Sequence, residues 1–107
     1  MQKISHFKGD TFIRDIAITD SLGAPVNLIG STIVFSIKAK FEDTAKIVEQ
    51  EATIVSAVGG TAKVTVSSTT MNIPYGQYVY DFQWTDSIGV VRTIQVGTFS
   101  VEYDVTH

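Results

Sequence analysis

The sequence predicts an all-β domain, a sandwich or barrel, on three observations. Apolar and polar residues alternate with period two along most of the chain. Turn-forming residues interrupt that alternation roughly every 8–12 residues, the spacing of small β-sandwiches. No stretch carries the periodicity of a long amphipathic helix. At 107 residues the chain is expected to form one domain over residues 1–107, because two cores of half that size would each be too small to stand alone.

Each element follows from local chemistry. A short strand is expected over Ile4–Phe7, and Lys8-Gly9-Asp10 turns the chain. Thr11–Thr19 reads as a strand with Phe12, Arg14, Ile16 and Ile18 on one face, Arg14 lying near a sheet edge where its head reaches water. Asp20-Ser21-Leu22-Gly23 is turn chemistry, followed by an extended Ala24–Leu28 and a break at Gly30. Ser31–Lys40 carries Ile33, Phe35 and Ile37 inward, with Ser36 and Lys38 outward, until Glu42-Asp43-Thr44 stops it. Ile47–Ser56 has a polar centre, Glu49-Gln50-Glu51, suited to a charged edge that resists pairing with another chain.

Gly59-Gly60 predicts a hairpin turn into Thr61–Ser67, where Ala62, Val64 and Val66 alternate with Lys63 and Thr65. Ser67-Ser68-Thr69-Thr70 suits a capped turn that Pro74 keeps short. Tyr78, Tyr80, Phe82 and Trp84 then occupy every second position, the pattern of a strand face packed on a core. After Asp86-Ser87-Ile88-Gly89, the last strand runs from Val90 to Tyr103. There Ile94 and Val96 share one parity and Phe99, Val101 and Tyr103 the other, which predicts a β-bulge at Gly97. The count is about seven antiparallel strands.

Composition narrows the function classes. A net charge of −3 argues against a general nucleic-acid binder, which needs a positive field to release counterions from phosphates. The absence of cysteine removes disulfides, thiolate metal sites and thiol nucleophiles together. No run approaches the length of a membrane span, and the start has no apolar core of signal-peptide length. Synthesis in the cytoplasm is the expectation.

Searches for chemistry favour structural readings. His6 and His107 lack the close companion ligands a zinc site requires, and neither forms an evident nucleophile–base pair. His107 could also belong to a purification tag. Asp81 with Asp86, and Glu49 with Glu51, are possible carboxylate pairs, but a sandwich this small offers little cleft for glycoside chemistry, and solvated edge charges are the better reading. Lys8-Gly9-Asp10 matches an integrin-binding tripeptide and is better explained as a turn. The aromatic row could be a sugar platform, but exposing it would leave Val79, Asp81, Gln83 and Thr85 to face the core. Catalytic, cofactor and metal residues are therefore all expected to be none.

Two stretches carry a resemblance. Ile73-Pro74-Tyr75-Gly76-Gln77-Tyr78-Val79-Tyr80 is similar to the turn-and-strand signature of fibronectin-type and immunoglobulin-like domains. The match implies that Tyr78 is a tyrosine-corner residue whose hydroxyl bonds to nearby backbone. The chain departs from antibody domains in lacking the cysteine pair and in placing Trp84 in a late strand. A longer series runs in order through Lys8–Phe12, Gly23–Gly30, Gly76–Gln83 and Arg92–Val101, and closes on Asp104-Val105-Thr106. This series resembles the immunoglobulin-like domain of tailed-bacteriophage virion proteins, including the N-terminal domain of baseplate upper proteins and small tail- or capsid-associated proteins.

The resemblance implies an immunoglobulin or fibronectin-III-like β-sandwich. It further implies a non-catalytic module of the virion that partners other virion proteins or itself in a symmetric assembly, without nucleic acid or membrane. The alternative is a carbohydrate-binding or host-adhesion module using loop aromatics such as Phe41 and Tyr75. A small enzyme is the third reading.

Overall fold

The computed structural model describes residues 3–102. They form eight strands and no helix: β1 (Ile4–Phe7), β2 (Phe12–Ala17), β3 (Thr32–Lys38), β4 (Val48–Glu51), β5 (Thr53–Ser56), β6 (Thr61–Val66), β7 (Gly76–Thr85) and β8 (Val91–Glu102). Two sheets result, a five-stranded one in the order β1-β8-β7-β3-β4 and a three-stranded one in the order β2-β6-β5. The alternation read from the sequence makes each sheet apolar on one face. The two apolar faces bury each other in a sandwich-like arrangement.

One connected core fills the space between the sheets. Ile33, Phe35 and Ile37 from β3, Tyr80 and Phe82 from β7, and Phe99 and Val101 from β8 meet Phe12 from β2 and Ala62, Val64 and Val66 from β6. The aromatic row faces inward: Tyr80 and Phe82 are buried, while Tyr78 and Trp84 are half-buried at its two ends. Phe35 lies 5.0 Å from Phe12 and 4.9 Å from Phe82, so aromatic contact bridges the two sheets.

Three expectations need correction. The strand count is eight among the described residues, and β1 pairs parallel to β8, Ile4 opposite Phe99 through Phe7 opposite Glu102. A four-residue strand has little local information about its neighbour, so its direction is set by tertiary packing.

The single strand expected over Ile47–Ser56 is in fact β4 and β5, in different sheets. The corner is Ala52, whose N–H donates to the carbonyl of Ile33 at 2.7 Å. Val48 and Ala52 are buried and Ile54 half-buried, so inward parity continues through the corner. A strand that crosses between packed sheets goes on facing the same core, and alternation alone cannot reveal the crossing.

The bulge lies at Ile94 and not at Gly97. Phe82 pairs with Gln95 and Gln83 with Thr93, leaving Ile94 as the extra residue, whereas Gly97 pairs in register with Tyr80. Gln95, Phe99 and Val101 keep one inward parity, and Val96 is an exposed outward residue. The inward face does change parity, but across Ile94: Arg92 opposite Trp84 and Gln95 opposite Phe82 share the inner face, and the outward apolar Val96 made the change look as if it fell at Gly97.

The turns follow their residue chemistry. The Gly59-Gly60 hairpin joins β5 to β6. Ser67 holds a tight turn, its carbonyl accepting from Met71 N–H at 2.9 Å and its Oγ from Thr70 N–H at 3.3 Å. The expectations for Tyr103, for Asp104-Val105-Thr106 and for His107 fall outside the described residues.

Candidate functional site

The residues singled out for chemistry are placed apart. His6 lies on the inner face of β1, half-buried, its Nε2 2.8 Å from the carbonyl oxygen of Asp10 and its ring edge-on to Phe12 at 5.5 Å. This geometry makes it a brace for the Lys8–Asp10 turn. Gly9 supplies that turn with φ 82°. Lys8 Nζ donates to Asn72 Oδ1 at 2.7 Å and lies over the Tyr75 ring, which ties the turn to the β6–β7 connection.

The carboxylate pairs do not converge on a cleft. Glu49 and Glu51 point outward from β4, opposite Ser36 and Val34, and Glu49 pairs with Lys46 at 2.6 Å. Asp81 lies on the outer face of β7 opposite Ser36, and Asp86 follows the strand's end, so roughly 17 Å of extended chain separates the two. Among the described residues no three His, Asp or Glu side chains stand close enough to hold a metal ion.

Asp86 instead organises its own turn. Its Oδ1 accepts from Ile88 N–H at 3.1 Å and Val90 N–H at 3.0 Å, and its Oδ2 from Arg92 at 2.7 Å. The hydrogen bond from Arg92 holds the Asp86 carboxyl below its ordinary value. The two backbone donors act in the same direction, against the opposing effect of burial. Arg92 also lies over the Trp84 ring at 5.0 Å.

Asp20 builds the same turn, accepting from Leu22 N–H at 2.9 Å and Ala24 N–H at 3.0 Å. The repeated pattern Asp-Ser-Leu/Ile-Gly-Ala/Val is visible in the sequence, and it places Leu22 and Ile88 at matching tips. Both side chains stand in solvent, 91% and 82% exposed.

These turns share one end of the sandwich with the β5–β6 hairpin. Leu28 N–H donates to Ala57 O at 2.8 Å, Ile18 N–H to Gly60 O at 2.8 Å, and Gly30 lies against Ser87. Val58 and Ile29 are also exposed there. At the opposite end Tyr78 makes the backbone hydrogen bond expected of it: its Oη donates to the carbonyl of Pro74 at 2.7 Å, with the ring half-buried. Burial pushes its hydroxyl pKa up.

The remaining features are sheet edges. β1 and β4 flank the five-stranded sheet, and β2 and β5 flank the three-stranded one. Along these edges β1 exposes Phe7 and β5 exposes Val55, while β4 carries the acidic pair. Between the two sheets, a crevice of about 380 Å³ opens along the edge strand β2 and the part of β8 that β1 does not pair with. Arg14 and Ile16 of β2 and Ile18 just beyond it form one wall, and Phe82, Ile94 and Gln95 form the other side. Arg14 is half-buried there, as its alternation with Phe12 and Ile16 foretold, but the crevice itself has no sequence signature.

The loop aromatics Phe41 and Tyr75 do not extend a row. Phe41 borders a shallow hollow beside Lys38, Val79 and Asp81 on the outer face of the large sheet, and Tyr75 is covered by Lys8. No family model matches the chain, and no curated protein sequence is similar to it.

Proposed function

We propose that the chain is a non-catalytic structural module of a tailed-phage virion, attaching to or connecting tail, baseplate or capsid-associated proteins. The observation that carries this reading is the arrangement of its edges. Short strands end both sheets with backbone donors and acceptors available to another chain.

The strand order supports the immunoglobulin-like part of the reading. In that fold one sheet holds strands B, E and D and the other G, F and C with an added C′. The orders β2-β6-β5 and β8-β7-β3-β4 follow that scheme. The hydrogen bond from Tyr78 to Pro74 is that of a tyrosine corner at the start of strand F. The ordered series of motifs along the chain supports the phage origin. On a symmetric particle, many copies convert a weak contact into firm attachment.

Two assays on purified protein test the proposal: co-sedimentation with particles of the encoding phage that lack this protein, and binding to a glycan array. Saturable binding to particles with no glycan signal is expected. Strong glycan binding without particle binding would overturn the reading in favour of a carbohydrate-binding module.

A further inference from the structure

We propose that the crevice between β2 and β8 is a strand-acceptor site, taking an extended peptide segment of a partner protein that carries an acidic residue. The inference rests on the attachment reading for its biological partner, and it names where the partner's chain lies.

β2 pairs with β6 on one side only, in unbroken register from Phe12 opposite Val66 to Ala17 opposite Thr61. No other backbone hydrogen bond reaches Phe12–Ala17 among the described residues. The facing strand is also unfilled: β1 covers β8 only from Phe99 to Glu102. No described strand pairs with Val91–Ile94 on that side. The bulge at Ile94 breaks the regularity of the β8 edge, whereas β2 is regular throughout. Backbone pairing with the incoming strand therefore belongs to β2, and β8 supplies a wall.

Charge selects the occupant. Arg14 points inward beside Ile16, and its guanidinium has no hydrogen bond or ion pair among the described residues. An inward charge on an edge strand repels an indiscriminate apolar strand, which must desolvate it without compensation. A carboxylate at the facing position turns that cost into a charge-assisted, bidentate contact. Side chains directly opposite across a strand pair share a face, so the residue two places from the acid faces Ile16. It lies against Phe82, whose buried ring is among the crevice-lining groups. The recognised pattern is an acid and an apolar residue separated by one position.

The test pans a random octapeptide display library on the intact protein and measures each selected synthetic peptide by fluorescence anisotropy. Selected peptides should share the acid-x-apolar spacing and bind about tenfold more weakly to Arg14→Gln. Arg14→Glu should regain binding when the peptide acid is replaced by lysine. N-methylation of alternate peptide nitrogens should abolish binding, and the bound peptide should slow amide exchange at Ile13–Ala17.

An absence of binders would overturn the proposal. So would peptides indifferent to Arg14 that leave β2 exchange unchanged, or protection of β2 that grows with protein concentration and shows a second copy in the crevice. If particles are bound by wild type and by Arg14→Glu equally, this site is wrong and the attachment reading stands. Peptide capture without particle binding has the opposite meaning.

Discussion

Two side chains show how one residue ties its surroundings together, and each gives a pH-dependent prediction. Tyr78 Oη donates to Pro74 O, and burial raises its pKa above the ordinary 10.0. A raised folded-state value means that the neutral form is favoured by folding. Its contribution is complete below the ordinary value and is lost as pH climbs through the higher one. Tyr78→Phe should cost about 1 kcal/mol in urea unfolding, the net worth of one hydrogen bond with the Pro74 carbonyl still near water. It should also flatten the alkaline limb of stability against pH, and an unchanged limb would remove Tyr78 as its source. Asp86 has the opposite sign. Its carboxyl is held below the ordinary 3.8, so its contribution is present above that value and fades as pH falls through the folded-state one. Asp86→Asn should therefore lower the urea midpoint near neutrality and weaken its fall as pH drops below the ordinary carboxylate value. The Tyr78–Pro74 hydrogen bond was legible because apolar-Pro-x-Gly-x-Tyr is a local signature. The carboxylate's bond to Arg92 was not, because the turn between β7 and β8 must fold before the two, six positions apart, can meet.

At the scale of elements, the β5–β6 hairpin shows where a glycine is irreplaceable. Gly60 has φ 68°, and a Cβ there would meet Ile18 O at 2.6 Å and Val26 O at 2.8 Å. Those are backbone atoms of segments tied together by the hydrogen bonds from Ile18 N–H to Gly60 O and from Val26 N–H to Ile18 O, so they cannot swing aside. Gly60→Ala should lose about 2 kcal/mol or more, strain and clash together. Gly9→Ala meets open space at φ 82° and should cost about 1 kcal/mol. Equal unfolding midpoints for the two variants would show that the close approach is not rigid. Gly59-Gly60 announced this turn, since two adjacent glycines between alternating segments admit few other readings. Alternation was a poorer guide where its face stayed constant while the sheet changed, as at Ala52, or where an outward residue was apolar, as at Val96. Period two reports which side faces the core and is silent on which neighbour supplies the hydrogen bonds.

For the whole molecule, the question is whether two sheets of unequal size behave as one unit. Phe12 is the only aromatic residue that the three-stranded sheet contributes to the core. It stacks on Phe35 at 5.0 Å with an interplanar angle of 19° and meets Phe99 edge-on at 5.5 Å. The sequence placed Phe12 inward by its parity with Ile16 and Ile18, although nothing local indicated that it joins the two sheets. Because the small sheet has only three strands, two of them at edges, it has little means of persisting once this contact is lost. Unfolding should therefore be a single cooperative transition. Far-UV circular dichroism, which reports both sheets, should coincide with fluorescence of Trp84 on β7. Phe12→Ala should lower the stability by about 3–5 kcal/mol through transfer and cavity terms, shifting both signals together. Phe12→Leu should recover much of the loss, because it refills most of the volume without the stacking. Separate transitions in wild type, or a Phe12→Ala variant whose Trp84 signal keeps the wild-type midpoint while the far-UV signal falls early, would show that the large sheet stands without the small one. The expectation of one domain over residues 1–107 would then fail with it.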